Sequence, residues 1–102
     1  MKLLRIGKEG KEIPAALDKN GKYRNLSSHI KDLNPDTINF KTLENLKNIN
    51  LEKLEEVDEN ERIGACLSKP GNFFAVGLNY IEHAKETGAK PPEHPVLFNK
   101  SV

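Results

Sequence analysis

The chain has 102 residues, 36% of them hydrophobic, with four Phe, two Tyr and no Trp, which permits one small domain, or one plus part of a second, on a thin core. Sixteen Lys and Arg face 15 Asp and Glu for a net charge of +1. The signs are interleaved, as in Lys8-Glu9-Gly10-Lys11-Glu12, which excludes the basic footprint of a nucleic-acid or anionic-membrane binder.

The single Cys66 can form no internal disulfide, and with three scattered His residues it makes no zinc spacing. No apolar run reaches the roughly 20 residues that span a bilayer. The amino terminus lacks the apolar core of a signal peptide, so a cytoplasmic protein is expected.

In chain order, Lys2-Leu3-Leu4-Arg5-Ile6 closed by Gly7, and Ile13-Pro14-Ala15-Ala16-Leu17, read as short strands. Asn20-Gly21 supplies a reversal because both residues tolerate positive φ, and Tyr23-Arg24-Asn25-Leu26 resumes an extended segment. A small antiparallel meander follows from this. Ser27-Ser28 is expected to cap a turn through His29, Ile30 and Leu33, stopped at Asn34-Pro35. Thr42, as a cap, with Leu43 and Leu46 predicts a short helix, and Leu51 and Leu54 continue the spacing after a break near Asn48-Ile49-Asn50. These leucines suit helices anchored on a sheet.

The stretch Glu55-Glu56-Val57-Asp58-Glu59-Asn60-Glu61-Arg62 is acidic and reads as an exposed connection. Ile63-Gly64-Ala65-Cys66-Leu67 is an apolar run, in which Cys66 is expected to be an inert buried thiol. Lys69-Pro70-Gly71-Asn72 is a turn, without the spacing of a phosphate loop. Asn72-Phe73-Phe74-Ala75-Val76-Gly77 reads as a buried strand. Residues from Asn79 to Glu86 have helical composition, stopped by Gly88. After Pro91, Pro92 and Pro95, Val96-Leu97-Phe98 forms another short strand, whose backbone has no visible partner before Val102, so the chain reads as unfinished. A domain boundary belongs between about residues 58 and 70.

Chemistry concentrates in Gly77-Leu78-Asn79-Tyr80-Ile81-Glu82-His83-Ala84-Lys85-Glu86. On a helix, His83 and Glu86 share one face, whereas Glu82 points about 100° around. A carboxylate beside an imidazole can orient it and favour its charged form, and such a pair can act as a general base. The same spacing also suits a solvated surface. What favours a site is the context of strand, glycine turn and helix, a junction that places reactive side chains at the mouth of a sheet. His29 reads as a surface or capping residue, and His94 as a structural or lid residue in a proline-rich loop.

The run Phe73-Phe74-Ala75-Val76-Gly77-Leu78-Asn79-Tyr80, then His83 and Glu86, then Pro95-Val96-Leu97-Phe98-Asn99-Lys100 resembles the opening of the fumarylacetoacetate hydrolase catalytic domain. Lys2-Leu3-Leu4-Arg5 and Leu26-Ser27-Ser28-His29 resemble the small accessory domain of bacterial members, often described as ureidoglycolate lyase or 2-hydroxyhepta-2,4-diene-1,7-dioate isomerase. The resemblance implies an α+β fold. A small N-terminal β-meander with short helices (residues 1–60) is followed by the first strands and helix of a mixed β-roll catalytic domain, incomplete here (residues 61–102).

The resemblance further implies that His83 and Glu86 activate water for hydrolysis of a carbon–carbon bond in a 2,4-diketo acid or related keto acid. Lys100 would lie near the substrate carboxylate or developing enolate, and Asn79 and Tyr80 would shape the turn and brace the pair. The implied cofactor is Mg²⁺ (or Mn²⁺ or Ca²⁺) in the full-length enzyme, bound by a Glu-x-Glu pair and an Asp expected beyond this chain, so no metal ligand is assigned here. A homodimer is implied for the full-length protein. Isomerase, decarboxylase and lyase activities share the motif and stay open, as does a non-catalytic remnant or assembly module.

Overall fold

The computed structural model describes residues 1–101. The chain forms two compact units, Met1–Lys69 and Pro70–Val102. Both are built from antiparallel strands and short helices, so the fold is α+β.

In the first unit, strands β1 (Lys2–Ile6), β2 (Ile13–Leu17), β3 (Tyr23–Asn25) and β4 (Glu56–Val57) form a sheet in the order β1-β2-β3-β4. β1 pairs with β2 from Lys2↔Leu17 to Ile6↔Ile13, and β2 pairs with β3 from Ala15↔Asn25 to Leu17↔Tyr23. The expected meander is present. β4 adds to it from the stretch read as a connection, through Tyr23↔Val57 and Arg24↔Glu56. Alternation along β2 sends Ala15 and Ala16 to opposite faces, and both are fully buried. Neither face of this central strand meets water there.

The Asn20-Gly21 reversal is held from within. Gly21 takes φ +79, a left-handed conformation that costs glycine nothing. Asp18 Oδ1 accepts from the Asn20 and Lys22 amides at 2.8 and 2.9 Å, and Arg24 Nε donates to Asp18 Oδ2 at 2.8 Å. The Lys22 amide, with the Arg24 and Asn20 donors, outweighs burial and holds the Asp18 carboxyl below its usual range.

Helix α1 (Phe40–Lys47) presents Leu46 to a core of Ala16, Leu26, Ile30, Leu33 and Leu46. Leu51 and Leu54, around a single 3₁₀ turn (Leu51–Lys53), pack against it. The cap differs from expectation. Asn39 is the N-cap and its side chain accepts from the Thr42 amide at 3.0 Å, because the helix starts at Phe40, earlier than the leucine spacing indicates. Likewise the turn after Leu26 is organised by Asn25, whose Oδ1 accepts from the Ser27 amide, and not by Ser27-Ser28. His29 is exposed, as expected.

Residues 61–69, read from sequence as the start of the second domain, pack in the first unit. Ile63 bridges to Ile6, the Gly7 amide donates to Arg62 O and the Gly64 amide to Arg5 O, both at 2.8 Å. The Ser68 amide reaches Leu33 O. Behind this clasp lies a charged cluster absent from the sequence reading. Nearly buried Arg5 donates to Asp32 at 2.7 Å and pairs with Glu12, which also takes Arg62 at 2.8 Å. The Arg62 hydrogen bond leads in holding the Glu12 carboxyl below its ordinary value. Partial burial pushes Asp32 upward, but the Ser68 hydroxyl, Arg5 and the Leu33 amide outweigh it, and its carboxyl is lowered. Cys66, expected to be buried, is exposed, because this segment lies along the sheet margin and is not a core strand.

In the second unit, β5 (Phe73–Gly77) and β6 (Val96–Lys100) form a hairpin with register Phe73↔Lys100 to Gly77↔Val96. Helix α2 (Ile81–Glu86) lies between them in sequence and ends at Thr87 and Gly88, the latter at φ +68. β5, read as a buried strand, is largely exposed: Phe74 keeps 67% of its surface and Phe73 keeps 56%. The apolar run signals burial, yet a two-stranded sheet supplies too little surface to provide it.

Candidate functional site

The β5–α2 junction turns sharply. Leu78 sits at φ +50, a left-handed conformation that costs a non-glycine residue about 1 kcal/mol or more. This reversal ends the strand and starts the helix within three residues. Tyr80 is the N-cap of α2, in extended conformation and with no side-chain cap. The helix is held instead by its own ladder, with the Ala84 amide donating to Tyr80 O at 3.2 Å. Only Ala84 is buried in α2, so the rest of the helix is free to present side chains outward.

His83 and Glu86 leave α2 three positions apart and are both exposed. Side chains at that spacing have Cβ atoms about 5–6 Å apart, within reach of one another through rotamer choice. In the structure no ion pair or side-chain hydrogen bond joins them among the described residues. The His83 carbonyl accepts from the Thr87 amide and hydroxyl, at 3.2 and 3.1 Å, which fixes the backbone beneath the imidazole.

A cleft of about 270 Å³ opens at the same junction, lined by Val76, Gly77, Leu78, Asn79, Ile81 and the segment Pro91–Pro95. It brings Asn79 together with Glu93 and His94. His83, Glu86, Tyr80 and Lys100 do not line it. Lys100 stands at the far end of the hairpin, paired with Phe73, about 13 Å along the strand from Val96 at 3.3–3.4 Å per residue. Its ammonium lies 5.9 Å from the centre of the Phe98 ring, a cation–π contact. Of the five residues singled out in the sequence, Asn79 reaches the cleft, Tyr80 and the pair His83 and Glu86 share the adjoining helix start and body, and Lys100 stands apart.

Glu93 was not singled out by the sequence. The signal available was its place in Pro91-Pro92-Glu93-His94-Pro95, where three prolines fix φ and stiffen the chain, holding two titratable side chains beside the Leu78 turn.

A larger depression, of about 710 Å³, lies in the first unit around Arg5, Glu12, Asp32, Asn34, Thr37 and Ser68. Arg5, Glu12 and Asp32 within it are engaged with one another and with Ser68, while Lys31, Asp36 and Lys69 also line it. Among the described residues no group of three or more His, Cys, Asp or Glu side chains could hold a metal ion. The donors present there therefore do not fit a Mg²⁺ site. Among the described residues no helix is long and apolar enough to cross a membrane.

No protein-family model matches the chain. It is 45% identical over 100 residues to a protein of Burkholderia ambifaria described as "Putative hydrolase". It is 44% and 43% identical, over the same length, to proteins of Burkholderia lata and Burkholderia multivorans with the same description. Each alignment takes in 98% of this chain and 36% of the relative. The chain thus spans about a third of the length of the curated relatives it matches, and the similarity runs through both of its units.

Proposed function

We propose that this chain contributes the opening segment of a hydrolase of the fumarylacetoacetate hydrolase family, acting on a carbon–carbon bond of a 2,4-diketo acid or related keto acid. The observation that carries the reading is the strand–turn–helix at β5–α2. A left-handed Leu78 delivers Asn79 to a cleft and sets His83 and Glu86 on the exposed side of the following helix. Similarity to relatives described as hydrolases across 98% of the chain supports the broader class.

In this reading the imidazole of His83 takes a proton from water while Glu86 orients the ring and balances its charge. The water oxygen bonds to the ketone carbon. The adjacent carbon–carbon bond then breaks, its electron pair leaving as the enolate of the 2-keto acid, which is protonated to release a keto acid and a carboxylic acid. Asn79 and the Pro91–Pro95 segment wall the cleft, and Lys100, at the far end of the strand pair, would serve only a substrate carboxylate that extends beyond that cleft. Metal binding falls to residues outside this chain.

The test is a chimera in which this chain replaces the matched segment of the Burkholderia ambifaria relative. Cleavage of acylpyruvates is followed by loss of their enol absorbance, with Mg²⁺ present. The chimera is expected to turn over, and His83→Ala or Glu86→Gln to lower kcat by about 10²–10⁴-fold. Absence of acylpyruvate cleavage by both the chimera and the parent relative, or full activity of His83→Ala, would refute the reading.

A further inference from the structure

The depression of the first unit divides into an inner part and a rim of different charge. Within it, Asp32 takes Arg5 and the Ser68 hydroxyl, and Glu12 takes Arg5 and Arg62. Two guanidiniums meet two carboxylates, so the inner part is neutral. The rim is not. Lys31, Asp36 and Lys69 line the depression and are exposed, and none of their side chains makes an ion pair or hydrogen bond among the described residues. Two ammoniums against one carboxylate leave one positive charge in excess.

Asn34 adds a donor of settled identity. Its Oδ1 accepts from the Asp36 and Thr37 amides, both at 3.0 Å, so the other end is the NH₂ group, and that group has no partner among the described residues. Lys69 takes φ +48, a left-handed conformation unfavourable to any residue with a side chain. Such strain persists where the surroundings impose it, and it gathers at ligand sites. Here the Ser68 amide bond to Leu33 O and the Ser68 hydroxyl bond to Asp32 hold the chain just before it.

A compact dianion matches this set of donors, because lysine ammoniums serve phosphate as point charges. At about 710 Å³ the depression falls in the range of small-molecule sites, roughly 300–1,000 Å³, and holds more than a bare phosphate. We propose that it binds a phosphate group, free or carried by a small hydroxylated ester. The Lys31 and Lys69 ammoniums and the Asn34 NH₂ group donate to the phosphate oxygens, and Asp36 accepts from a hydroxyl of the ester. Arg5 and Arg62 balance Asp32 and Glu12, which limits repulsion of the anion. An occupant adds a second tie between residues 31–37 and 67–69, beside the Ser68–Leu33 bond. The inference goes beyond the keto-acid reading and does not rest on it.

The test is titration of the 102-residue chain, followed by amide NMR at about pH 7.5, where a phosphate monoester carries close to two charges. Inorganic phosphate and glycerol 3-phosphate are added separately, against sodium chloride at matched ionic strength. Saturable shifts are expected at 31–37 and 67–69, with β1–β3 unmoved. Lys31→Gln or Lys69→Gln should weaken binding about tenfold, the loss of one charge-assisted hydrogen bond, and Lys41→Gln should leave it unchanged. Both lysines are exposed, and unmoved sheet amides verify that the variants fold. Tighter binding of the ester, abolished by Asp36→Asn, identifies an ester as the ligand; equal affinities identify the free ion. Shifts that sodium chloride reproduces, or that survive in the Lys31→Gln, Lys69→Gln double variant, overturn the site. Tighter binding of malonate than of either phosphate overturns the choice of ligand.

Discussion

Truncating Leu26 to alanine isolates packing from every other contribution at that position. Its side chain is fully buried among Ala16, Ile30, Leu33 and Leu46. Its hydrogen bonds are all made by the backbone: the amide donates to Pro14 O, and the carbonyl accepts from His29 and Ile30. Alanine keeps them. Three carbons leave the core, worth about 0.8 kcal/mol each in transfer, and the cavity left behind brings the loss to about 2.5–5 kcal/mol. A unit of this size is stable by only about 3–10 kcal/mol, so about a quarter or more of its stability should disappear.

Urea unfolding followed by circular dichroism should show the midpoint falling with an unchanged slope. Phe40→Ala provides the contrast. Phe40 is larger but 90% exposed at the first position of α1, and its removal should stay within about 0.5 kcal/mol. A loss under about 1 kcal/mol for Leu26→Ala, or equal losses for the two variants, would refute a core centred on Leu26.

Asn39→Ala should cost about 1 kcal/mol through loss of the α1 cap, and Thr42→Ala markedly less, as read by thermal melting; the reverse order would return the cap to Thr42. Gly21→Ala should destabilise by about 1 kcal/mol because its φ of +79 strains any side chain, although nothing stands within 4 Å to clash with the methyl. Asp18, Glu12 and Asp32 all have folded-state pKa values lowered from 3.8, 4.5 and 3.8. Their contribution is complete above those values and drains away as pH falls through the folded ones. The melting temperature should hold between about pH 6 and 7.5 and drop below about pH 4.5, less steeply in Asp18→Asn; a flat acid limb would contradict the carboxylate cluster. Mg²⁺ added to the 102-residue chain should leave its melting temperature unchanged, and a clear upward shift would reveal a site that the geometry does not supply.

The meander was legible because its signals are local: the short apolar runs Lys2–Ile6 and Ile13–Leu17, and the Asn20-Gly21 reversal. The existence of α2 was legible for the same reason, but the turn before it was read at Gly77 and the helix from Asn79, whereas Gly77 stays in β5, Leu78 takes the left-handed conformation and α2 starts at Ile81. What sequence could not convey depended on partners distant along the chain. Arg5 and Asp32 carry no mark of each other in the sequence, and only folding brings them together, 27 positions apart. Ile63 read as the start of a new domain because its apolar neighbours carry no mark of the bridge to Ile6. Cys66 and β5 failed in the same direction, since hydrophobicity reports a preference for burial but not whether anything is there to bury against. Glu93 escaped because a charged residue between prolines has no periodicity to flag it.

The clasp of residues 61–69 along β1 has a practical consequence for anyone dividing this protein. Cutting after residue 60, where the composition changes, would strip β1 of its Ile63 bridge and of the amide that Gly64 gives Arg5. It would also deprive Glu12 of Arg62 and Asp32 of Ser68. The shortened piece would carry a raw sheet margin prone to sticking to its own copies. Ending at Lys69 keeps that selvage sewn, and gives the smallest fragment of this chain suited to crystallisation or spectroscopy by itself.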